Sequence, residues 1–236
     1  MPDRDAPRRE NAVCVLTSGG LDSGVLIAEL AKEYRKVQPV YVRCGLFWEQ
    51  AERYWLRRFL KKLQATHSHI QPLKMLSMDL REMYGDHWSL TGKDVPAYHS
   101  DDFEVYLPGR NIILLAKTAV YCVLGGIGTI ATAPLSANPF PDGTPQFYAR
   151  MQDVLSEGMA TRLSIRTPFR QMSKEEVIRI GQDLPLELTF SCICPQGRLH
   201  CGECGKCAER IKAFHAVGIE DHTTYHRPPE VLRHVG

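Results

Sequence analysis

Short apolar runs alternate with amphipathic segments along most of this chain. The apolar runs have the length and β-branched content of buried strands, and the segments between them repeat apolar residues at helical spacing. The predicted strands are 12–17, 37–42, 70–75, 128–135 and 163–167, and the predicted helices are 21–35, 50–63, 111–124, 146–155 and 173–182. This alternation predicts an α/β fold in which a doubly wound parallel sheet is covered by helices on both faces. Residues 79–106 are polar and irregular, which indicates an excursion near an active site.

Composition and charge exclude several classes of protein. With 44% hydrophobic and 24% charged residues, the chain can bury a core and is not of the disordered class. A net charge of +2 and a pI near 8.1 are too mild for a nucleic-acid surface, and they argue against a nucleic-acid partner. The two locally basic stretches, 32–36 and 53–62, are interpreted as solvated helix faces.

No segment of the sequence is typical of export or of a membrane span. The charged start of the chain, residues 1–10, lacks the apolar stretch of a secretory signal. The stretch 112–133 is interrupted by Lys117 and by three glycines, so a buried helix followed by a buried strand fits it better than a bilayer span. We therefore expect a cytoplasmic protein without a membrane partner.

The turn between the first predicted strand and helix has the sequence Thr-Ser-Gly-Gly-Leu-Asp-Ser over residues 17–23. Its glycines allow the backbone to approach a ligand closely. The free amides at the helix start attract an anion, and the hydroxyls of Ser18 and Ser23 can donate hydrogen bonds to phosphate oxygens. The turn lacks the ending of a Walker loop and the spacing of a dinucleotide fingerprint. A plain tight turn is the alternative, but the complete motif after a buried strand favours phosphate binding.

This turn resembles the PP-loop of ATP pyrophosphatases, a group that includes GMP synthetase, asparagine synthetase and tRNA-modifying ligases. The resemblance implies that the loop holds the pyrophosphate that leaves when a nucleophile attacks the α-phosphate of ATP. It therefore implies adenylation rather than γ-phosphoryl transfer, with ATP and Mg²⁺ as expected ligands. The implied ATP-binding residues are Ser18, Gly19, Gly20, Leu21, Asp22 and Ser23.

Five of the eight cysteines lie close together near the C-terminus. In a reducing compartment such clustering indicates a metal site rather than disulfides. Cys192 is followed by Cys201, Cys204 and Cys207, and intervening glycines allow a tight loop whose sulfurs converge on one ion. Four thiolates suit a structural zinc ion. An iron–sulfur cluster is the main alternative, and Cys194 could replace Cys192 as a ligand or remain free.

The length of 236 residues fits one large domain with a small appendage. We expect a disordered head over residues 1–11 and a nucleotide-binding α/β domain over residues 12–185. A cysteine-rich, zinc-binding helical segment is expected over residues 186–236.

Further motifs match one branch of the PP-loop group. They are Leu-Pro-Gly-Arg-Asn at 107–111, Thr-Pro at 167–168 with Met-Ser-Lys-Glu-Glu at 172–176, Leu-Thr-Phe-Ser-Cys at 188–192, the cysteine pattern, Glu-Arg at 209–210 with Phe214, and Gly-Ile-Glu-Asp at 218–221 with Thr-Tyr at 224–225. In this order they resemble 7-cyano-7-deazaguanine synthases, over roughly residues 12–225. The resemblance implies a homodimeric enzyme with a zinc motif. Such an enzyme converts 7-carboxy-7-deazaguanine, ammonia and ATP into the nitrile used for queuosine, through an adenylate and an amide.

The resemblance also implies roles for residues outside the PP-loop. Arg110 and Lys174, together with Asp22, are predicted to be catalytic, because positioned cations neutralise charge that builds on the α-phosphate. Arg110 could instead pair with an acid of the neighbouring pair 101–102. Lys174 lies in the first turn of a helix predicted to open with a capping box over 173–176, where a cation is slightly unfavourable, and this favours a ligand role. The predicted substrate-binding residues are Asn111, Asn138, Phe140 and Asp142.

Two loops depart from the pattern of that family. Residues 136–142 read Ser-Ala-Asn-Pro-Phe-Pro-Asp in place of the usual Asp-Tyr-Ser-Gly-Tyr-Pro-Asp, and residues 43–49 replace the usual Asp/Tyr-Gly-Gln run. Both loops follow strands, at the edge where a doubly wound sheet binds its ligand. The acyl acceptor therefore stays open between ammonia and another amine, such as a peptide or protein N-terminus. A tRNA-modifying PP-loop enzyme, which the weak charge disfavours, and a non-catalytic binding module are further alternatives.

Overall fold

The computed structural model describes residues 11–97 and 99–227, and its centre is a five-stranded parallel sheet. The strands are β1 Ala12–Leu16, β2 Lys36–Arg43, β3 Lys74–Ser77, β4 Thr129–Ala131 and β5 Ser164–Arg166. Their order across the sheet is β3-β2-β1-β4-β5, and each neighbouring pair is parallel. The chain therefore winds outward from β1 in one direction and then in the other, which confirms the predicted doubly wound sheet.

Helices cover both faces of this sheet. They are α1 Leu21–Glu33, α2 Glu49–Thr66, α3 Arg81–Tyr84, α4 Trp88–Thr91, α5 Arg110–Leu124, α6 Pro145–Gly158, α7 Lys174–Ile180 and α8 Gly205–Val217, with short 3₁₀ helices at Asp102–Val105, Pro141–Gly143 and Leu186–Leu188. Val13 and Val15 of β1 pack with α1, α2, α7 and α8 on one face, while Cys14 packs with α5 and α6 on the other. This alternation follows from the period of two along a strand.

The sheet has a switch point between β1 and β4. The helix after β1, α1, packs on one face, and the helix after β4, α6, packs on the other. The two connections therefore diverge and leave a crevice at the carboxyl ends of these strands. Open α/β sheets bind their ligands in such a crevice.

Two of the strands, β3 and β4, differ most from the bounds that the apolar pattern predicts. β3 begins at Lys74 rather than at residue 70, since Ile70 forms only an isolated bridge with Val37 and Pro72 has no amide to donate to a ladder. β4 ends at Ala131 instead of residue 135, because the chain turns there to line a cavity. The polar excursion 79–106 contains the short helices α3 and α4.

The boundaries of the predicted domains stay predictions. Residues 1–10 of the predicted head lie outside the described residues. Helix α8, from the predicted C-terminal segment, packs on α7, and its Ala213 and Phe214 belong to the same core as α1. In the part of the chain that the structure describes, no helix is both long and apolar enough to cross a membrane.

Candidate active site

The PP-loop between β1 and α1 is braced by its own hydroxyl groups. Thr17 Oγ1 accepts a hydrogen bond from the Gly19 amide (3.2 Å) and donates one to Ser23 Oγ (3.0 Å). Ser23 Oγ in turn lies 3.1 Å from the Gly20 carbonyl oxygen. Gly19 has a φ of +78°, and a Cβ there would lie 3.1 Å from Leu56 Cβ, so a larger residue would be strained. The loop conformation is therefore set before any ligand binds.

Two adjoining cavities open beside this loop at the switch point. The large cavity has a volume of about 500 Å³ and the small cavity about 320 Å³. They share walls from the PP-loop, α2, α5 and the loop after β4, and the large cavity also reaches α7 and α8. The shared side chains that bear chemistry are Ser18, Asp22, Glu52, Arg110, Asn138 and Phe140. The larger volume lies in the range of small-molecule sites.

The residues predicted to bind ATP do not all face these cavities. Ser18, Gly20 and Asp22 line both, Leu21 lines the large cavity alone, and Ser23 lines the small cavity alone. Gly19 lines neither, and its contribution is the positive φ that shapes the turn.

Lys174 is the centre of a charged network on the wall of the large cavity. Its ammonium group lies 2.7 Å from Asp22 Oδ2 and 2.9 Å from Glu209 Oε1. Lys206 lies 2.7 Å from the other oxygen of Glu209. Burial opposes the charge of Lys174, but Asp22 and Glu209 more than offset it and raise its pKa above the ordinary value. The predicted capping box is present, with Ser173 and Glu176 bonded to each other's backbone amides. Lys174 is thus a charged donor held between the PP-loop and α8.

Arg110 begins α5 and lines both cavities. Its Nε is buried and has no hydrogen-bond partner among the described residues. Within the same residues it forms no ion pair. The Asp101 carboxylate instead accepts a hydrogen bond from the Phe103 amide at 2.7 Å. A half-buried guanidinium whose buried Nε has no hydrogen-bond partner among the described residues, beside a cavity, is available to an anionic ligand.

The four residues predicted to bind the substrate divide into two pairs. Asn138 and Phe140 line both cavities, and the Phe140 ring stacks on Tyr106 with centroids 5.1 Å apart. Asn111 lines only the small cavity, and it donates to Asp142 from its backbone (3.2 Å) and its side chain (3.0 Å). Asp142 lines neither cavity, and burial raises the pKa of its carboxyl group. Asp142 therefore holds the loop after β4 against α5.

Sequence reasoning missed Glu52 and its partner Tyr41. Glu52 lies on the buried side of α2, lines both cavities, and accepts a short hydrogen bond from the Tyr41 hydroxyl. Burial raises the pKa of Glu52 to about 8. The available signal is a glutamate on the inner face of the amphipathic pattern over 50–63, where an apolar residue is expected.

Cys192, Cys201, Cys204 and Cys207 bring four buried sulfurs within 4.8 Å of one another. The Sγ atoms of Cys201 and Cys207 are 3.9 Å apart, and so are those of Cys192 and Cys204. A tetrahedral zinc ion with sulfur ligands at about 2.3 Å separates those sulfurs by about 3.8 Å. Four backbone amides also lie 3.3–3.4 Å from the sulfur of Cys192 or Cys201, where they would stabilise thiolates. These residues fit one tetrahedral ion.

The alternatives for the cysteine cluster fit less well. The sulfur of Cys194 lies outside the group, and only its backbone amide contacts Cys192. An iron–sulfur cluster places a core of iron and sulfide between its ligands. Its cysteine sulfurs must therefore lie farther apart than those that share a single ion. The geometry favours a mononuclear site built by the four predicted cysteines.

Comparisons with known proteins agree with the motifs. The family model described as Queuosine biosynthesis protein QueC matches residues 11–218. A 7-cyano-7-deazaguanine synthase from Acidobacterium capsulatum is 30% identical over 232 residues, which cover 93% of this chain and 98% of that protein. The synthase from Thermoplasma volcanium is 27% identical, and the match covers 92% of this chain and 91% of that protein. The synthase from Saccharolobus solfataricus is 30% identical, but this chain covers only 48% of it.

A solved structure extends the comparison to the fold. The U34-tRNA thiolase NcsA from Methanococcus maripaludis, solved with its 4Fe-4S cluster, has a TM-score of 0.50 and 12% identity. The match covers 95% of this chain and 77% of that one, and at this identity it shows a shared fold alone. The family match favours neither the tRNA-modifying nor the non-catalytic alternative. The chain belongs to the queuosine biosynthesis protein QueC family, and the prediction of an enzyme of this family is confirmed.

Proposed function

We propose that this chain is a 7-cyano-7-deazaguanine synthase that uses ATP and ammonia to convert the carboxylate of 7-carboxy-7-deazaguanine into a nitrile. The observation that carries the proposal is one cavity bounded by the PP-loop, by the unpaired Arg110 and by the charged Lys174. Relatives that match along nearly their whole length have this name.

The first step of the proposed reaction is adenylation of the substrate. The phosphates of ATP lie on the PP-loop, where the Ser18 hydroxyl and the free amides at the start of α1 donate to phosphate oxygens. A carboxylate oxygen of the substrate attacks the α-phosphorus, and pyrophosphate leaves onto the loop. Arg110 and Lys174 neutralise the charge that builds on the transferred group. The buried Asp22 Oδ1, which has no hydrogen-bond partner among the described residues, is the carboxylate oxygen open to Mg²⁺.

The second part of the proposal concerns the deazapurine ring and the amine. The Phe140 ring, supported by Tyr106, offers a flat apolar surface for the ring system, and the Asn138 side chain offers hydrogen bonds to its polar edge. Ammonia displaces AMP from the adenylate to give an amide. A second ATP then adenylates the amide oxygen, and loss of AMP and a proton leaves the nitrile.

The cysteine segment and a second copy of the chain are proposed to support this site. Cys192, Cys201, Cys204 and Cys207 would hold a structural zinc ion that fixes the start of α8. We further propose a homodimer that covers the exposed apolar side chains of α5 and α6, which are Ile112, Val120, Leu124 and Val154.

Purified protein with ATP, Mg²⁺, ammonium and 7-carboxy-7-deazaguanine tests the proposal. We expect AMP and pyrophosphate to form only when the acid is present, with the amide and then the nitrile detected by mass spectrometry. 7-Deazaguanine, which lacks only the carboxylate, is the matched control and should give no AMP. A conjugate with an added peptide in place of the nitrile, or no turnover with the acid, would overturn the proposal.

A further inference from the structure

Glu52 is a buried carboxylate that faces the space in which the proposed reaction takes place. It lies on the inner side of α2 with 5% of its surface exposed, and it lines both cavities beside Ser18 and Arg110. Its side chain packs against the PP-loop, since a Cβ on Gly19 would lie 3.4 Å from Glu52 Cγ. The carboxylate is therefore held next to the loop that is proposed to bind phosphate.

Glu49, almost one turn earlier on the same helix, is a matched comparison. It is equally buried, but its carboxylate accepts a hydrogen bond from the Cys44 amide (2.7 Å) and lies 3.8 Å from Arg43 Nε. It lines neither cavity. Glu49 thus closes the turn between β2 and α2. Glu52, by contrast, binds no backbone amide of the described residues, and its carboxylate accepts a hydrogen bond from the Tyr41 hydroxyl.

The groups that surround Glu52 set its protonation state. Burial raises its pKa to about 8, with a further increase from Glu49, while the Tyr41 hydroxyl and the Arg110 guanidinium oppose the increase. Cys44 lies in the turn between β2 and α2. Burial raises the pKa of its thiol to about 11, so the thiol stays neutral near pH 8. A carboxyl group that titrates near working pH can take up a proton and release it within one turnover.

We infer that Glu52 is the general base of the amide-forming step, where its carboxylate accepts the proton that the attacking ammonia nitrogen loses. This inference rests on the proposed function. As ammonia attacks the carbonyl carbon of the adenylate, a C–N bond forms and the C–O bond to AMP breaks, with its electron pair leaving on the phosphate oxygen. One proton passes from nitrogen to Glu52. The products are the neutral amide, AMP and a protonated carboxyl group, which returns its proton to water before the next cycle.

The neighbours of Glu52 suit this task. The Tyr41 hydroxyl fixes one carboxylate oxygen and thereby orients the other. Arg110 lies beside both cavities, so its charge stabilises the carboxylate before transfer and the departing phosphate after it. Tyr41 is a positioning residue in this scheme, because it acts through Glu52.

The test separates the two half-reactions in the full-length protein. Glu52→Gln keeps the shape of the side chain and can accept the Tyr41 hydrogen bond, but it cannot take up a proton. Pyrophosphate exchange into ATP, which reports adenylation, should stay within about threefold of the wild type, while kcat for amide formation falls by about 10²–10⁴-fold. Glu49→Gln is the matched control and should keep both rates. Tyr41→Phe should slow amide formation by a smaller factor than Glu52→Gln.

The pH dependence of the rate of amide formation distinguishes a general base from a purely structural residue. The supply of neutral ammonia rises with pH for every variant, so the ratio of the wild-type rate to the Glu52→Gln rate is the quantity to follow. This ratio should rise up to about pH 8 and then level off, because the pKa of Glu52 is raised to about 8.

Two outcomes would overturn the inference, and they are distinct from a failure of the proposed function. Equal losses of exchange and of amide formation in Glu52→Gln would reduce Glu52 to a structural support of the cavity. A rate ratio that does not change with pH would do the same. If the wild type itself shows no exchange that depends on the acid, the proposed function is wrong, and this inference is wrong with it.

Discussion

The cysteine cluster and the large cavity beside the PP-loop both include residues of α8. They differ in whether their buried polar atoms have hydrogen-bond partners. In the cluster, four sulfurs lie within 4.8 Å, and backbone amides contact Cys192 and Cys201. Around the cavities, Asp22 Oδ1 and Arg110 Nε are buried without a hydrogen-bond partner among the described residues. An unpaired buried polar atom costs free energy. At the cavities, these two atoms indicate where a bound ligand would complete the hydrogen bonding, while the cysteine sulfurs already have partners.

Helix α8 connects these two regions. Cys207 belongs to the cluster, and Glu209, two residues later, binds Lys174 on the wall of the large cavity. Arg210 is buried and binds Thr189 Oγ1 and the Leu186 carbonyl, each at 2.8 Å, so it fastens the helix to the segment before Cys192. The position of Lys174 thus depends on the cluster through one helical turn. The contrast predicts that changes in the cluster act on stability, while changes at the cavities act on rate.

The largest expected effect comes from removing one sulfur of the cluster. Cys201→Ala should abolish stoichiometric zinc binding and lower the free energy of unfolding by about 5 kcal/mol or more, because structural zinc supplies folding energy directly. Zinc per chain by elemental analysis and thermal unfolding would measure both. Cys194→Ala is the control, since its sulfur lies outside the cluster, and it should retain zinc and stability. Iron in the wild type, or a stable Cys201→Ala protein, would contradict the assignment of a zinc support.

A smaller effect, and one on rate, is expected at Arg110. Arg110→Gln should lower the rate of adenylation by about 10²–10³-fold, the loss typical of one donor that stabilises transition-state charge. Its melting temperature should change little, because Arg110 has no ion pair among the described residues. Pyrophosphate exchange and thermal unfolding of the same preparation provide the two numbers. Arg81→Gln, which removes an exposed pair with Asp79, is the control and should affect neither. A large loss of stability in Arg110→Gln would contradict the expectation that changes at the cavities act on rate and changes in the cysteine cluster act on stability.

Local signals in the sequence were sufficient for much of this architecture. The strand before the PP-loop, the turn itself and the capping box of α7 each depend on residues within one short segment, and each was predicted at the right place. The four cysteines were also predictable, because metal-ligand spacing and glycine content are local properties. Strand lengths were less predictable, since the ends of β3 and β4 depend on proline positions and on which residues line the cavity.

The composition of the candidate site was less accessible from the sequence. Lys174 and Asp22 are 152 positions apart, so only the fold reveals their ion pair. Asp142 and Asn138 are four residues apart in one loop, yet Asn138 faces both cavities and Asp142 faces neither, a difference set by the 3₁₀ helix between β4 and α6. Glu52 interrupts the apolar face of α2. The sequence alone does not reveal its hydrogen bond with Tyr41, which lies on the strand β2.

The smallest expected effect concerns the stability of the cavity wall as pH changes. Burial raises the pKa of Glu52 in the folded protein to about 8, from an ordinary value of 4.5. A carboxyl group with a raised folded pKa binds its proton more tightly in the folded state, so stability falls as pH rises from about 4.5 to about 8. Glu52→Gln cannot ionise and should escape this loss. The variant should therefore be clearly more stable than the wild type at pH 8 and much less so at pH 5.

Chemical denaturation of the wild type and Glu52→Gln at the two pH values measures this difference. Tyr41→Phe is the control, because it keeps the carboxyl group and should keep the loss of stability with pH. A gain confined to high pH would show that the folded protein raises the pKa of Glu52, as a carboxyl group buried beside the cavity requires. Equal changes at pH 5 and pH 8 would contradict a raised pKa of Glu52 in the folded protein.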